Sequence, residues 1–128
     1  MAFDPGAVGR AFSEHRFGEA LPHLAKDVRW TIVGYMVLEG ADAVRQTCRD
    51  TLESLEGTTT TYDRCVIAAS SDTVAVDTFA RYTRPDGMTA VAGCDIYEFG
   101  GEEITAITSY AVEVDPDDAG SHPPPRSA

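Results

Sequence analysis

At 128 residues, with 43% apolar and 24% charged side chains, the chain has the size and balance of one modest globular core. Its formal net charge of −11 argues against nucleic acid or anionic membrane as a partner, because phosphate binding needs clustered Lys and Arg. No stretch approaches the ~20 apolar residues of a membrane helix; no signal peptide is recognisable; and the odd, widely spaced Cys48, Cys65 and Cys94 suit neither a disulfide framework nor a metal site, so a reducing cytoplasm is expected.

Asp4-Pro5 opens a helix, Asp as N-cap and Pro at the first helical position, and Val8, Ala11 and Phe12 give it an apolar stripe. A second short helix follows through Phe17, Ala20, Leu21 and Leu24, with Pro22 tolerable near its first turn. Val28 to Ile32 alternates as a strand, and Gly34 to Gly40 reads as a loop. A third helix runs from Ala41 to about Glu56. Val44, Cys48, Thr51, Leu52 and Leu55 lie along one face, and Gly57 stands at a C-terminal cap.

The period then changes to two. Strands are expected at Thr59–Ala68, Thr73–Thr83, Met88–Phe99 and Ile104–Val114. Ser70-Ser71-Asp72, Arg84-Pro85-Asp86-Gly87 and Gly100-Gly101 supply the turns between them. Such short turns join antiparallel neighbours, so these four form a meander. Helices followed by a long meander give an α+β fold, with the helices packed in the concave face of a strongly curved antiparallel sheet. The domain spans residues 1–115; the Pro-, Gly- and Ser-rich residues 116–128 read as a disordered tail. Phe79, between Asp77 and Arg81 on the other sheet face, suggests a homodimer contact there.

Strand parity selects a candidate site. Val91, Gly93, Asp95, Tyr97 and Phe99 share one face, and a lone acid among such neighbours is out of place in solvent. If that face is the concave one, Asp95 is desolvated, and a carboxyl so placed can act as general acid, base or hydrogen-bond donor near neutral pH. The alternative is a carboxylate paired with a backbone amide or an Arg, or sitting at the open rim. Trp30 and Ile32, in phase with Val28, wall the same cavity or pack as core. Tyr82 is in phase with Val74, Val76, Thr78 and Ala80. Ser109 shares a face with Ile107 and Ala111, and Tyr35 and Met36 sit where a rim or lid would be. Ser109 lacks the G-x-S-x-G context of a nucleophile and is expected to hydrogen-bond a ligand. Of the histidines, His122 is in the tail, while His15 and His23 are at helix ends without a metal partner at i+4. His15 is either a surface or capping residue or a proton carrier at the pocket mouth. No nucleotide or metal motif is present, so no cofactor is implied.

The order helix, helix, strand, helix, four strands resembles the nuclear-transport-factor-2-like superfamily. That group includes ketosteroid isomerases, SnoaL-type polyketide cyclases and limonene-epoxide hydrolases. LAKDVRWTIVG (24–34), LEGADAVR (38–45) and AGCDIYEFGGEEITAITSY (92–110) carry the likeness, over about residues 5–114. By this resemblance Asp95 matches the protonated oxyanion-hole acid of ketosteroid isomerases. The family's base falls near Thr31 or Ile32 and its Tyr near Val8, which departs from that pattern. The epoxide-hydrolase acid falls near Ser109, and Arg81 has only Asp77 as a carboxylate on its own face. The SnoaL-like pattern is the least contradicted. It implies a homodimer and a cofactor-free cyclase, isomerase or dehydratase. Such an enzyme would act on a small apolar carbonyl-bearing molecule, with Asp95 moving the proton and Trp30, Ile32, Tyr82, Tyr97, Ser109 and Tyr35 around the ligand. A non-catalytic ligand-binding or dimeric interaction domain is the alternative.

Overall fold

Asp4 and Pro5 start the first helix as expected: the Asp4 carboxylate accepts from the Ala7 N–H at 3.1 Å and Pro5 begins helix α1, Pro5–Ser13. The computed structural model describes residues 3–117, so residues 118–128 of the expected tail lie outside it. Helix α2 is a single turn, Phe17–Ala20, continued by a 3₁₀ turn at Leu21–His23 where Pro22 removes an amide donor. The first strand then begins earlier than its alternation suggests, so Leu24 belongs to β1 (Leu24–Ile32) and not to a helix.

The segment read as a loop carries a short strand, β2 (Met36–Glu39), hairpinned to β1 with Trp30 opposite Leu38. Helix α3, Ala41–Ser54, buries Ala41, Val44 and Cys48. Its C-terminal end leaves the sheet, so Leu52, expected on the buried face, is exposed and the helix stops two residues short of Glu56. Gly57 takes φ 77°, the left-handed conformation its position calls for.

Strands β3 (Thr59–Ala69), β4 (Thr73–Arg84), β5 (Gly87–Gly100) and β6 (Glu103–Val114) pair in sequence order, all antiparallel. β6 also pairs with β1, in parallel, giving a six-stranded sheet of order β2-β1-β6-β5-β4-β3. Register shifts at Tyr62/Arg64, at Glu98/Phe99 and between Leu24 and Arg29 add twist. The fold is α+β, with a curved open sheet whose inner face carries the helices.

The core lies between that inner face and α1 and α3, where Phe12, Val28, Val44, Val76, Tyr97 and Ile107 are all buried in one cluster. α1 approaches the sheet closely because its facing row is Gly6, Gly9 and Ser13, all buried. A Cβ on Gly9 would stand 3.0 Å from Tyr97 Cδ2 and 3.1 Å from Val74 Cγ1. On the outer face Phe79, only 1% exposed, lies outside that cluster with the Arg81 guanidinium 5.5 Å above its ring. Phe79 is therefore buried within the chain and does not itself present a contact surface. Arg81 also differs from its expected pairing: it bonds Asp63, the residue at the β3 bulge, and Asp77 bonds Arg64 at 2.8 Å.

Candidate functional site

The close approach of α1 places its last turn against β5. Ser13 Oγ donates to Asp95 Oδ2 at 2.8 Å and lies 2.6 Å from the Tyr97 hydroxyl. With the Ser13 hydrogen on the carboxylate, Tyr97 is the donor of the second bond, so a chain runs Tyr97 to Ser13 to Asp95. Burial, reinforced by the Asp95 charge, raises the Tyr97 phenol well above its ordinary range and keeps it neutral.

Asp95 pairs across the sheet with Val76 on one side and Ser109 on the other. Ser109 is buried and accepts the Trp30 indole N–H at 2.9 Å, so the one polar atom of Trp30 is aimed at the strand beside Asp95. Phe12 packs edge-on against Trp30, Tyr97 and Phe17, with ring centroids 5.1, 5.8 and 5.1 Å away, and closes an aromatic wall.

Tyr62 on β3 and Tyr82 on β4 stand on the same inner face, half-buried. Burial raises both phenols, and the Asp95 charge adds to each shift. His15 meets them: its Nδ1 is 3.5 Å from the Tyr62 hydroxyl, and its ring lies over Tyr82 at 6.2 Å, tilted 27°. Burial lowers the imidazole below its usual value, and Asp95 partly offsets this. His15 is consequently neutral at pH 7.

One other carboxylate comes near. Glu14 is clamped by Arg10 at 3.2 Å and by Arg16 at 2.9 Å, which neutralises it. Asp95, by contrast, takes its hydrogen bond from an uncharged hydroxyl. The thiols are poor nucleophiles here, since burial pushes Cys48 up to about 12 and raises Cys65 and Cys94 as well. No group of three or more potential metal ligands occurs among the described residues.

The expected site residues divide between two places. Tyr97, Ser109, Trp30 and Tyr82 gather around Asp95. Ile32 and Tyr35 lie further out, where they share with Trp30, Met36, Thr47, Asp50, Thr51 and Ser54 a groove of ≈ 460 Å³ between the β1–β2 turn and α3. Tyr35 is 76% exposed there, at a rim. Ala111 keeps the inward parity but is exposed. Another groove of ≈ 500 Å³, between Leu24, Lys26, Gly40 and Arg45, is lined by none of these groups. Sequence reading missed Ser13, Phe12 and Tyr62. The spacing Gly6, Gly9, Ser13 was a usable signal for Ser13, because a row of small residues marks the line along which a helix touches its partner.

The SnoaL-like domain model matches residues 7–107. The chain belongs to the SnoaL-like family. No curated protein matches it. Among solved structures, an NTF2-like protein of unknown function from Cytophaga hutchinsonii is 26% identical, with a TM-score of 0.73 over 83% of this chain and 94% of that one. A putative polyketide cyclase from Xanthomonas campestris is 17% identical, with a TM-score of 0.64 over 81% and 84%. An LEH-like epoxide hydrolase from M. tuberculosis is 19% identical, with a TM-score of 0.56 over 80% and 75%. The last two likenesses concern the fold. In this SnoaL-like chain Asp95 stands on the inner face of the sheet beside Ser109, and no helix among the described residues is long and apolar enough to cross a membrane.

Proposed function

We propose that this SnoaL-like protein is a cofactor-free enzyme that binds a small apolar carbonyl compound and moves a proton with Asp95, in a cyclisation, isomerisation or dehydration. The observation that carries this reading is the Tyr97–Ser13–Asp95 chain on the inner face, where a carboxylate is positioned by neutral hydroxyls and no cation takes part in those bonds. Such a carboxylate takes a proton from the carbon beside the carbonyl. The C–H electron pair becomes the C=C bond of an enolate as the carbonyl π pair moves onto oxygen, and a neutral phenol, Tyr82 or Tyr62, donates a hydrogen bond to that oxygen. Trp30 supplies apolar wall and is shared with the groove against α3, where Ile32 and Tyr35 would hold the outer part of the ligand. One of the structures that share this fold is described as a putative polyketide cyclase, and the proposed chemistry is of that class.

The same reading includes a homodimer. Tyr110 and Val112 are 49% and 61% exposed on the outer face, beside a depression of ≈ 220 Å³ lined with Ala92, Cys94 and Asp77. Three free thiols fit a reducing cytoplasm.

The test uses 2-tetralone as probe. Exchange of its α-protons in D2O, followed by proton NMR, is accelerated by the unsubstituted protein and not by Asp95→Asn, while Trp30 fluorescence reports binding in both. A fluorescence change without exchange leaves a binding domain instead.

A further inference from the structure

His15 has φ 63° and is the one non-glycine residue with positive φ among the described residues. It sits where helix α1 closes: its N–H bonds the Phe12 carbonyl at 3.1 Å, and the Arg16 N–H bonds the Ala11 carbonyl at 2.8 Å. That pair of bonds requires a left-handed residue between them, and glycine is the usual occupant. The same protein places glycine at other left-handed positions, Gly34, Gly57 and Gly101 among them. At His15 a strained backbone conformation is kept together with a large side chain, and the side chain is directed to one place.

That place is the edge of the Asp95 site. Around the imidazole stand Phe17 from α2, Tyr62 from β3 and Tyr82 from β4, with the charge of Asp95 from β5 acting on it; Glu14 and Arg16 flank it in the chain. Glu14 and Arg16 are tied to each other at 2.9 Å. The neighbour left for proton exchange is therefore the Asp95 cluster, reached past the phenols. His15 is only half-buried, so its ring lies between that cluster and solvent.

We propose that His15 is the proton carrier of the site, passing protons between Asp95 and water, and that the left-handed helix cap is what aims it. This rests on the reading of Asp95 as the proton-transferring group. The transfers balance without any co-reactant. Asp95 gains the substrate proton as its O–H bond forms. A ring nitrogen of neutral His15 then takes that proton, directly or through a phenol or water, and Asp95 is a carboxylate again. Imidazolium loses the proton to solvent, and the reverse relay, from solvent through His15 to Asp95, returns a proton (a deuteron in D2O) to the enolate carbon.

The experiment is 2-tetralone α-proton exchange by three proteins: unsubstituted, Asp95→Asn and His15→Gly. Glycine suits the cap conformation, so the fold is retained, and His15→Gly melts above His15→Ala because alanine keeps the strain without the ring. The expected result is loss of exchange in Asp95→Asn and a roughly 10- to 100-fold slower exchange in His15→Gly. Added imidazole restores much of the latter rate, which a merely structural role for the ring would not allow. Unchanged exchange in His15→Gly, or slowed exchange that imidazole does not raise, overturns the carrier while leaving Asp95 in place. No exchange by the unsubstituted protein, or full exchange by Asp95→Asn, removes the Asp95 reading, and the carrier with it.

Discussion

Strands β4 and β5 show two opposite treatments of charge on their two faces. On the outer face Asp77 is held by Arg64 and Asp63 by Arg81, each anion matched by a guanidinium, with Arg81 also lying over Phe79. On the inner face Asp95 is held by a serine and, through it, a tyrosine. Paired charges spread over a sheet surface contribute modestly and are tolerant of change. Asp95 takes its hydrogen bond from a hydroxyl and not from a guanidinium, between Val76 and Ser109 on the inner face, and the proposed proton transfer rests on that difference.

The sharpest way to break this contrast is to remove each acid in turn. Asp95→Asn is expected to reduce 2-tetralone exchange by roughly 10² to 10⁴ with little change in the unfolding midpoint. Asp77→Asn is expected to leave exchange intact and to cost no more than about 1 kcal/mol, since its carboxylate is nearly half exposed. A reversed pattern would place the chemistry on the wrong face.

Next in size is the outer surface itself. Tyr110→Glu puts a charge at the centre of the proposed contact between copies, and a carboxylate desolvated without a partner costs several kcal/mol. Sedimentation of the unsubstituted protein as a dimer and of Tyr110→Glu as a monomer is the expected outcome. Identical sedimentation of the two proteins would remove the outer face as the interface.

Much of this arrangement is legible in the sequence, for local reasons. The meander follows from period-two alternation and strong turns, and the inward facing of Trp30, Asp95, Tyr97 and Ser109 follows from parity. The bulge at Glu98/Phe99 falls after Tyr97, so it leaves that parity intact. Strand β2 escapes because Met-Val-Leu-Glu is too short to alternate visibly and gains its place by pairing with β1. The parallel contact of β1 with β6 leaves no local mark, since its partners, such as Trp30 and Ile107, are far apart in the chain. For His15 the sequence leaves a capping residue and a proton carrier at the pocket mouth both open; its left-handed conformation escapes, because glycine normally announces such a cap, and its ring partners arrive from β3 and β4.

Gly9 tests how closely the helix must lie for the site to exist. In an open helix Gly→Ala gains up to about 1 kcal/mol. Here the new Cβ would meet Tyr97 and Val74, both fully buried, and Tyr97 is tied to Ser13. Overpacking costs about 1 to 3 kcal/mol and outweighs the propensity gain. Gly9→Ala is therefore expected to unfold at lower denaturant and to slow exchange as Ser13 moves off Asp95. A more stable Gly9→Ala protein would mean that α1 has room to spare.

The smallest effect is a pH dependence that separates His15 from the carboxylates. Burial holds its folded pKa below the unfolded value of ~6.5, so in that window the unfolded chain binds more protons than the folded one. The stability due to the neutral ring is thus complete above the unfolded value and is lost as pH falls through the folded one. Asp95 opposes the shift by favouring imidazolium. His15→Asn, which tolerates the left-handed cap and does not titrate, should flatten the stability profile just below pH ~6.5. The same profile in Asp95→Asn should steepen, because the ring then loses the one charge that eased its protonation. If His15→Asn and the unsubstituted protein lose stability in parallel through that range, the ring is not desolvated, and His15 belongs to the surface with the paired charges of the outer face.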